Sequence, residues 1–217
     1  QEKENEIVVI PELLDMLCIK DCIITIDALG CQRTIAEKVI KGEGDYIFIV
    51  KDNQPKLKEI VLSVTESIVS KGTTVRFDKY ETHEEGHGRN ESRICYCCND
   101  PGFLGEDIRK KGKNIQSFGY IENTRNTNKG TTVEKRCFIS SLEPDAQKIL
   151  KNSREHWEIE NNLHWQLDVN FHEDNTRRRN ISALNFSVLA KIALATLRNN
   201  KREIPINRKR LIAGWED

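Results

Sequence analysis

The chain contains no long apolar run. Its longest, Cys22–Ile26 and Tyr46–Val50, fall far short of the roughly 20 residues a membrane-spanning helix needs. It has no excess of one charge either, with 34 Lys+Arg against 34 Asp+Glu. That balance, with 37% hydrophobic residues over 217 positions, excludes a highly charged disordered chain and fits a folded domain. No apolar stretch follows a basic start, so Gln1-Glu-Lys-Glu-Asn5 does not read as a signal peptide. There is no initiator methionine, and the one Met is Met16, so the expectation is that residues precede Gln1. Phosphate-cradling glycine motifs are missing: Gly42-Glu-Gly44 lacks the third glycine of a dinucleotide fingerprint.

Cysteine is present but unpatterned. Seven residues at 18, 22, 31, 95, 97, 98 and 137 are an odd number, which argues against a disulfide framework and for the reducing cytoplasm. Cys95 and Cys98 form a CxxC with no second ligand pair at zinc-ribbon spacing, so free thiols on a strand are expected.

Zero net charge hides an asymmetry. Residues 176–211 hold ten Lys/Arg against Glu203 alone, a concentration at one end that suits a polyanionic partner. Residues 1–71 alternate strand and helix patterns. The β-branched run Cys22–Asp27 and the run Tyr46–Val50 read as buried strands, with helices at Ile7–Leu17, Thr34–Lys41 and Pro55–Ser70. This spacing predicts a parallel βαβ unit. Residues 72–143 change to alternating strands: Thr73–Thr82 and Arg89–Cys98 around Gly86 and Gly88, then Ile115–Glu122 and Thr132–Ser140. A mostly antiparallel, β-rich insertion is expected there. Residues 144–217 read as a long helix over 144–167, a second helix over Ser182–Asn199 and a basic tail.

Asp27 ends the first strand, and Lys51-Asp-Asn-Gln54 leaves the second. In open parallel sheets ligands collect at the carboxyl ends of strands, which predicts that Asp27, Lys51 and Gln54 lie near one another. On the 144–167 helix one stripe reads Ile149, Ser153, His156, Glu160, Leu163, Leu167. A carboxylate in so apolar a stripe is costly unless paired or bound to a metal. His156, Glu160 and His164 also fit a transition-metal site, and a plain helix-face cluster with Trp157 and Trp165 in the core fits the same spacing. Asp168, Glu173 and Asp174 add acids just before Arg177-Arg-Arg179.

Two stretches together carry a family resemblance. One is Ile24-Thr-Ile-Asp-Ala-Leu-Gly-Cys-Gln32 followed by Asp45-Tyr-Ile-Phe-Ile-Val-Lys-Asp-Asn-Gln54. The other is His156-Trp-Glu-Ile-Glu-Asn161, Leu163-His-Trp-Gln-Leu-Asp-Val169 and Phe171-His-Glu-Asp174. From about Glu4 to Asn199 the chain resembles the DDE transposases of bacterial insertion sequences, in the subgroup of H-repeat-associated proteins. The resemblance implies an α/β, ribonuclease-H-like core, incomplete at the N-terminus, with a β-rich insertion and C-terminal helices. It implies Asp27 and Glu160 as catalytic, metal-holding carboxylates, Mg2+ or Mn2+ as the ion, and double-stranded DNA as the partner. Lys51, Gln54, Arg177, Arg178 and Arg179 are then the expected DNA contacts, and a homodimer is one expected assembly. Where the wider family carries an Arg four residues before that glutamate and a Lys seven after it, this chain has His156 and Leu167. The family's first catalytic aspartate finds no match in residues 1–20, so an N-terminally truncated, inactive fragment is the expectation. Two other readings stand beside it: a non-catalytic DNA-binding remnant, and a transition-metal hydrolase built on His156, Glu160 and His164.

Overall fold

A computed structural model describes residues 6–27, 32–71, 75–86, 89–99, 101–106, 112–128, 130–173, 175 and 177–215. The chain forms two compact units, Gln1–Ser153 and Arg154–Asp217.

The first unit is built on α1 (Glu6–Met16), β1 (Ile23–Ile26), α2 (Arg33–Lys41), β2 (Asp45–Val50) and α3 (Pro55–Lys71). Strands β3 (Phe77–Gly86), β4 (Arg89–Cys98), β5 (Ser117–Thr127) and β6 (Gly130–Ser140) follow, then α4 (Ala146–Ile159), which runs on into the second unit. The six strands make one sheet in the order β1-β2-β6-β5-β4-β3. β1 and β2 are adjacent and parallel, with Ile23 opposite Asp45, as the βαβ pattern predicts. Every other pair is antiparallel. β2 pairs with β6, so the strands of residues 72–143 continue the sheet that β1 and β2 begin.

Strand alternation divides the side chains between two cores. Tyr46, Phe48, Val50, Cys98, Phe118, Cys137 and Ile139 face α2 and α3. Ile47, Ile49, Cys95, Cys97, Ile121 and Phe138 face the other way, under Ala146, Ile149 and Leu150 of α4. Burying a side chain such as Phe48 or Phe138 fully contributes about 1.5–3 kcal/mol, so these two layers hold the sheet. Asp78 of β3 accepts a hydrogen bond from the Ala146 backbone N–H at 2.7 Å, capping the start of α4.

The helix expected over 144–167 is interrupted. α4 ends at Ile159, a π-helical turn spans Glu160–His164, and α5 takes up Trp165–Phe171. The wider turn takes more residues to complete, so a stripe drawn at α-helical spacing slips across it. Ile149, Ser153 and Leu167 are buried, but Trp165 is exposed rather than part of a core. The second unit adds α6 (Ile181–Asn199) and α7 (Ile206–Ala213), the latter not foreseen from the sequence. Its core is small: Leu167, Ala190 and Leu194, with Leu163, Phe171 and Ile206 against them.

α6 also corrects the reading of apolar runs. By length and composition it is sufficient to cross a membrane, although single polar residues such as Asn185, Ser187 and Lys191 break its apolar runs. One such helix is weak evidence for a span, because core helices pass the same test.

Candidate functional site

β1 and β2 end side by side, and one residue past each lies a charged group. Lys51 Nζ donates to Asp27 Oδ2 at 2.7 Å, with side chains 53% and 42% exposed. Alternation puts Thr25 and Asp27 on the face shared by Ile47, Ile49 and Lys51, the face on which α4 packs. The expected convergence of Asp27 and Lys51 is therefore present. Gln54 follows at the start of α3, where its N–H donates to the Lys51 carbonyl at 3.0 Å and its carbonyl accepts from Lys58 N–H at 3.0 Å. Lys58 also draws Asp52 into a 2.8 Å pair that holds its carboxyl below the usual range.

Glu160 opens the π-helical turn in the second unit. Such turns occur often at functional sites, because they re-aim side chains that a regular helix would fix. His156, on the last turn of α4, is half-buried, while His164, at the end of the π-helical turn, is exposed. Asp174 lies outside the described residues. Arg177, Arg178 and Arg179 are exposed, and no ion pair holds any of them among the described residues. The Arg178 guanidinium stacks over Phe186 of α6 at 3.9 Å, which orients the basic segment against that helix.

Among the described residues no three His, Cys, Asp or Glu side chains gather as metal ligands. Cys95 and Cys98 explain part of this: they sit three residues apart on β4, so they enter opposite cores and cannot chelate one ion. Burial pushes the Cys97 and Cys137 thiols up to about 11 and Cys98 to about 12, so they behave as inert packing groups. A cleft of about 520 Å3 lies elsewhere in the first unit, along α1 and the end of α2. Two of its lysines are engaged, Lys20 by Glu43 and Lys38 by Asp15.

One polar cluster escaped the sequence reading. Glu91, only 5% exposed, receives Arg93 from its own strand and Arg125 from β5, the latter at 2.8 Å. Arg93 also holds Glu84 of β3 at 2.9 Å. The sequence signal was alternation: Glu91 and Arg93 share a face, and only the β4–β5 register puts Arg125 opposite Glu91.

The family described as "Transposase DDE domain" matches residues 1–197. Among curated proteins, the "H repeat-associated putative transposase YhhI" of Escherichia coli K12 is 39% identical over 206 residues. That match covers 92% of this chain and 53% of YhhI. "Putative protein YbfL" of the same strain is equally similar over the same shares. "Putative transposase YncI" of Escherichia coli O157:H7 is 38% identical, covering 93% of this chain and 52% of its own length. The chain spans about half the length of the curated relatives it matches.

Proposed function

This chain belongs to the DDE transposase family, and on that premise we propose that it is a DNA-handling part of an insertion-sequence transposase. The observation that carries the proposal is the Asp27–Lys51 pair at the carboxyl ends of two parallel strands. It sets an acid and a base at the sheet edge where a phosphodiester can be engaged.

In this reading the first unit is a ribonuclease-H-like core, with residues 1–71 as its α/β part and 72–143 as the insertion. Residues 144–217 are its helical, basic end. β1 is an edge strand of uncharged Ile-Ile-Thr-Ile, half-buried throughout, which suits a core that continues onto a further strand. Asp27 and Glu160 are the carboxylates we assign to DNA strand cleavage and joining. Mg2+ or Mn2+ is the ion the family reading calls for, since hard divalent ions prefer oxygen ligands. Within the first unit Asp27 alone does not fit that ion, because it brings one carboxylate and its partner there is a lysine.

What the chain's own residues supply is binding. Lys51 pairs with Asp27, Gln54 follows three residues on at the start of α3, and Arg177, Arg178 and Arg179 offer cations to the backbone of double-stranded DNA. A DNA-processing role places the protein in the cytoplasm, and a homodimer is the assembly that would bring two element ends together.

The test is nicking of supercoiled plasmid in Mg2+ or Mn2+, comparing the chain with an Asp27→Ala/Glu160→Ala variant. The expected result is DNA binding by both and nicking by neither, because one carboxylate beside a lysine does not hold two metal ions in line. Nicking that the double variant loses would overturn this and make the chain a complete nuclease.

A further inference from the structure

α6 carries two apolar faces, and the second unit uses one of them. The inner face sets Ala190 and Leu194 against Leu167, with Leu163, Phe171 and Ile206 around them. On the opposite side Ile181, Leu184, Val188, Leu189 and Ile192 lie open, between 48% and 73% exposed. Ile181, Asn185, Val188, Ile192 and Ala195 follow one another in alternating steps of four and three residues. That spacing draws a straight seam along a helix, and Leu184 and Leu189 widen it on either side.

The five apolar side chains leave roughly 600 Å2 open, against the roughly 800 Å2 that a standard interface takes from each partner. Asn185, Ala195 and the stem of Lys191 border the same face and bring most of the remainder. A contiguous apolar patch of this size marks an interaction surface. Steps of four and three are the spacing at which a helix takes an equal helix as its partner. A lipid surface suits the face less, because α6 has only Lys191 and Arg198 as cations along its 19 residues.

Charge decides the direction of pairing. Arg177, Arg178 and Arg179 stand exposed just before α6, so a parallel pair would set two such triplets side by side. Antiparallel pairing puts Ile181 opposite the partner's Ile192 and Asn185 opposite the partner's Val188. The two triplets then lie about 25 Å apart along the axis, at about 1.5 Å per residue. That exceeds the screening length of about 10 Å, so their repulsion is largely removed.

We infer that α6 is the contact between two copies of this chain, paired antiparallel through Ile181, Val188 and Ile192. The inference deepens the homodimer of the DNA-handling reading and rests on that reading for its use: each end of the pair presents one arginine triplet to DNA.

The experiment is sedimentation equilibrium of the 217-residue chain over a concentration series. An Ile181→Glu variant, an Ile192→Lys variant and the double variant are run beside it, with thermal melts as the folding control. The expected result is a dimer whose dissociation constant rises at least about tenfold in each single variant, which leaves an unpaired charge in the seam. The double variant should recover it, because antiparallel pairing brings the two new charges together. A monomer at every concentration would overturn the inference, and so would a dimer that all three variants leave unchanged. Dissociation of the single variants without recovery in the double one, at unchanged melting temperature, would overturn the antiparallel pairing and with it the inference. Binding of a monomeric wild-type chain to phosphatidylserine vesicles, lost in the single variants, would make α6 a lipid-facing helix and overturn it. A dimer with no salt-dependent DNA binding would leave the pairing standing and sink the DNA-handling reading.

Discussion

Lys51 Nζ and Asp27 Oδ2 are 2.7 Å apart, although 24 residues of chain and a whole helix separate them. Parallel pairing is what closes the gap, because it ends β1 and β2 at one edge. Both side chains are about half exposed, so water screens the pair. Lys51→Met is therefore expected to change unfolding free energy by less than about 1 kcal/mol in urea titration, while weakening DNA binding. A loss of several kcal/mol would mean that the pair holds the fold together rather than serving the site.

Gly119 is the position in the sheet least tolerant of a side chain. A Cβ there would lie 1.9 Å from the Tyr96 carbonyl oxygen, which is backbone and cannot swing away. β5 is an interior strand, so relief would require separating it from β4. Gly119→Ala should destabilise by about 1–3 kcal/mol or more, read as a lower urea midpoint at unchanged m-value. Gly86→Ala, with nothing within 4 Å, is the control and should leave the midpoint unshifted.

Alkaline pH should unfold the protein through its buried thiols. Burial raises Cys97 and Cys137 to about 11 and Cys98 to about 12, from an ordinary value of 9.0. The folded state keeps these protons while the unfolded state gives them up. Their contribution is thus fully present below pH 9 and is lost as pH rises through 11 to 12. Thermal melts across that range should fall in midpoint, and a Cys97→Ala/Cys137→Ala variant should fall less steeply. In the same proteins a thiol reagent at neutral pH should label Cys18 and Cys22, which are exposed, well before Cys95, Cys97, Cys98 and Cys137.

The basic segment before α6 should set non-specific DNA affinity. Arg177→Ala, Arg178→Ala and Arg179→Ala together should weaken binding to all sequences alike and reduce the salt slope by about 0.9 per lost duplex contact. Fluorescence anisotropy between about 50 and 200 mM salt reads both quantities. Arg178 differs from its neighbours because it also stacks on Phe186, so its single substitution should lower the melting temperature as well.

Much of this protein could be read from local pattern. The β-branched runs that became β1 and β2, the alternation that became β4 and β6, and the helix before Asn199 all follow from side-chain period and need no distant partner. The family signature lay in the same local stretches, and so did the choice of Asp27 and Lys51 as strand-end residues. Other features depended on contacts between residues far apart in the chain. The β2–β6 pairing that joins all strands into one sheet comes from matching apolar faces roughly 90 residues apart, which no window of sequence contains. The π-helical turn at Glu160 widens a helix that propensity alone would have continued. The Glu91 cluster exists only once β4 and β5 are in register, since its carboxylate is worth burying only beside Arg93 and Arg125 together. Periodicity fixes what each segment becomes, while register between segments decides which charges meet.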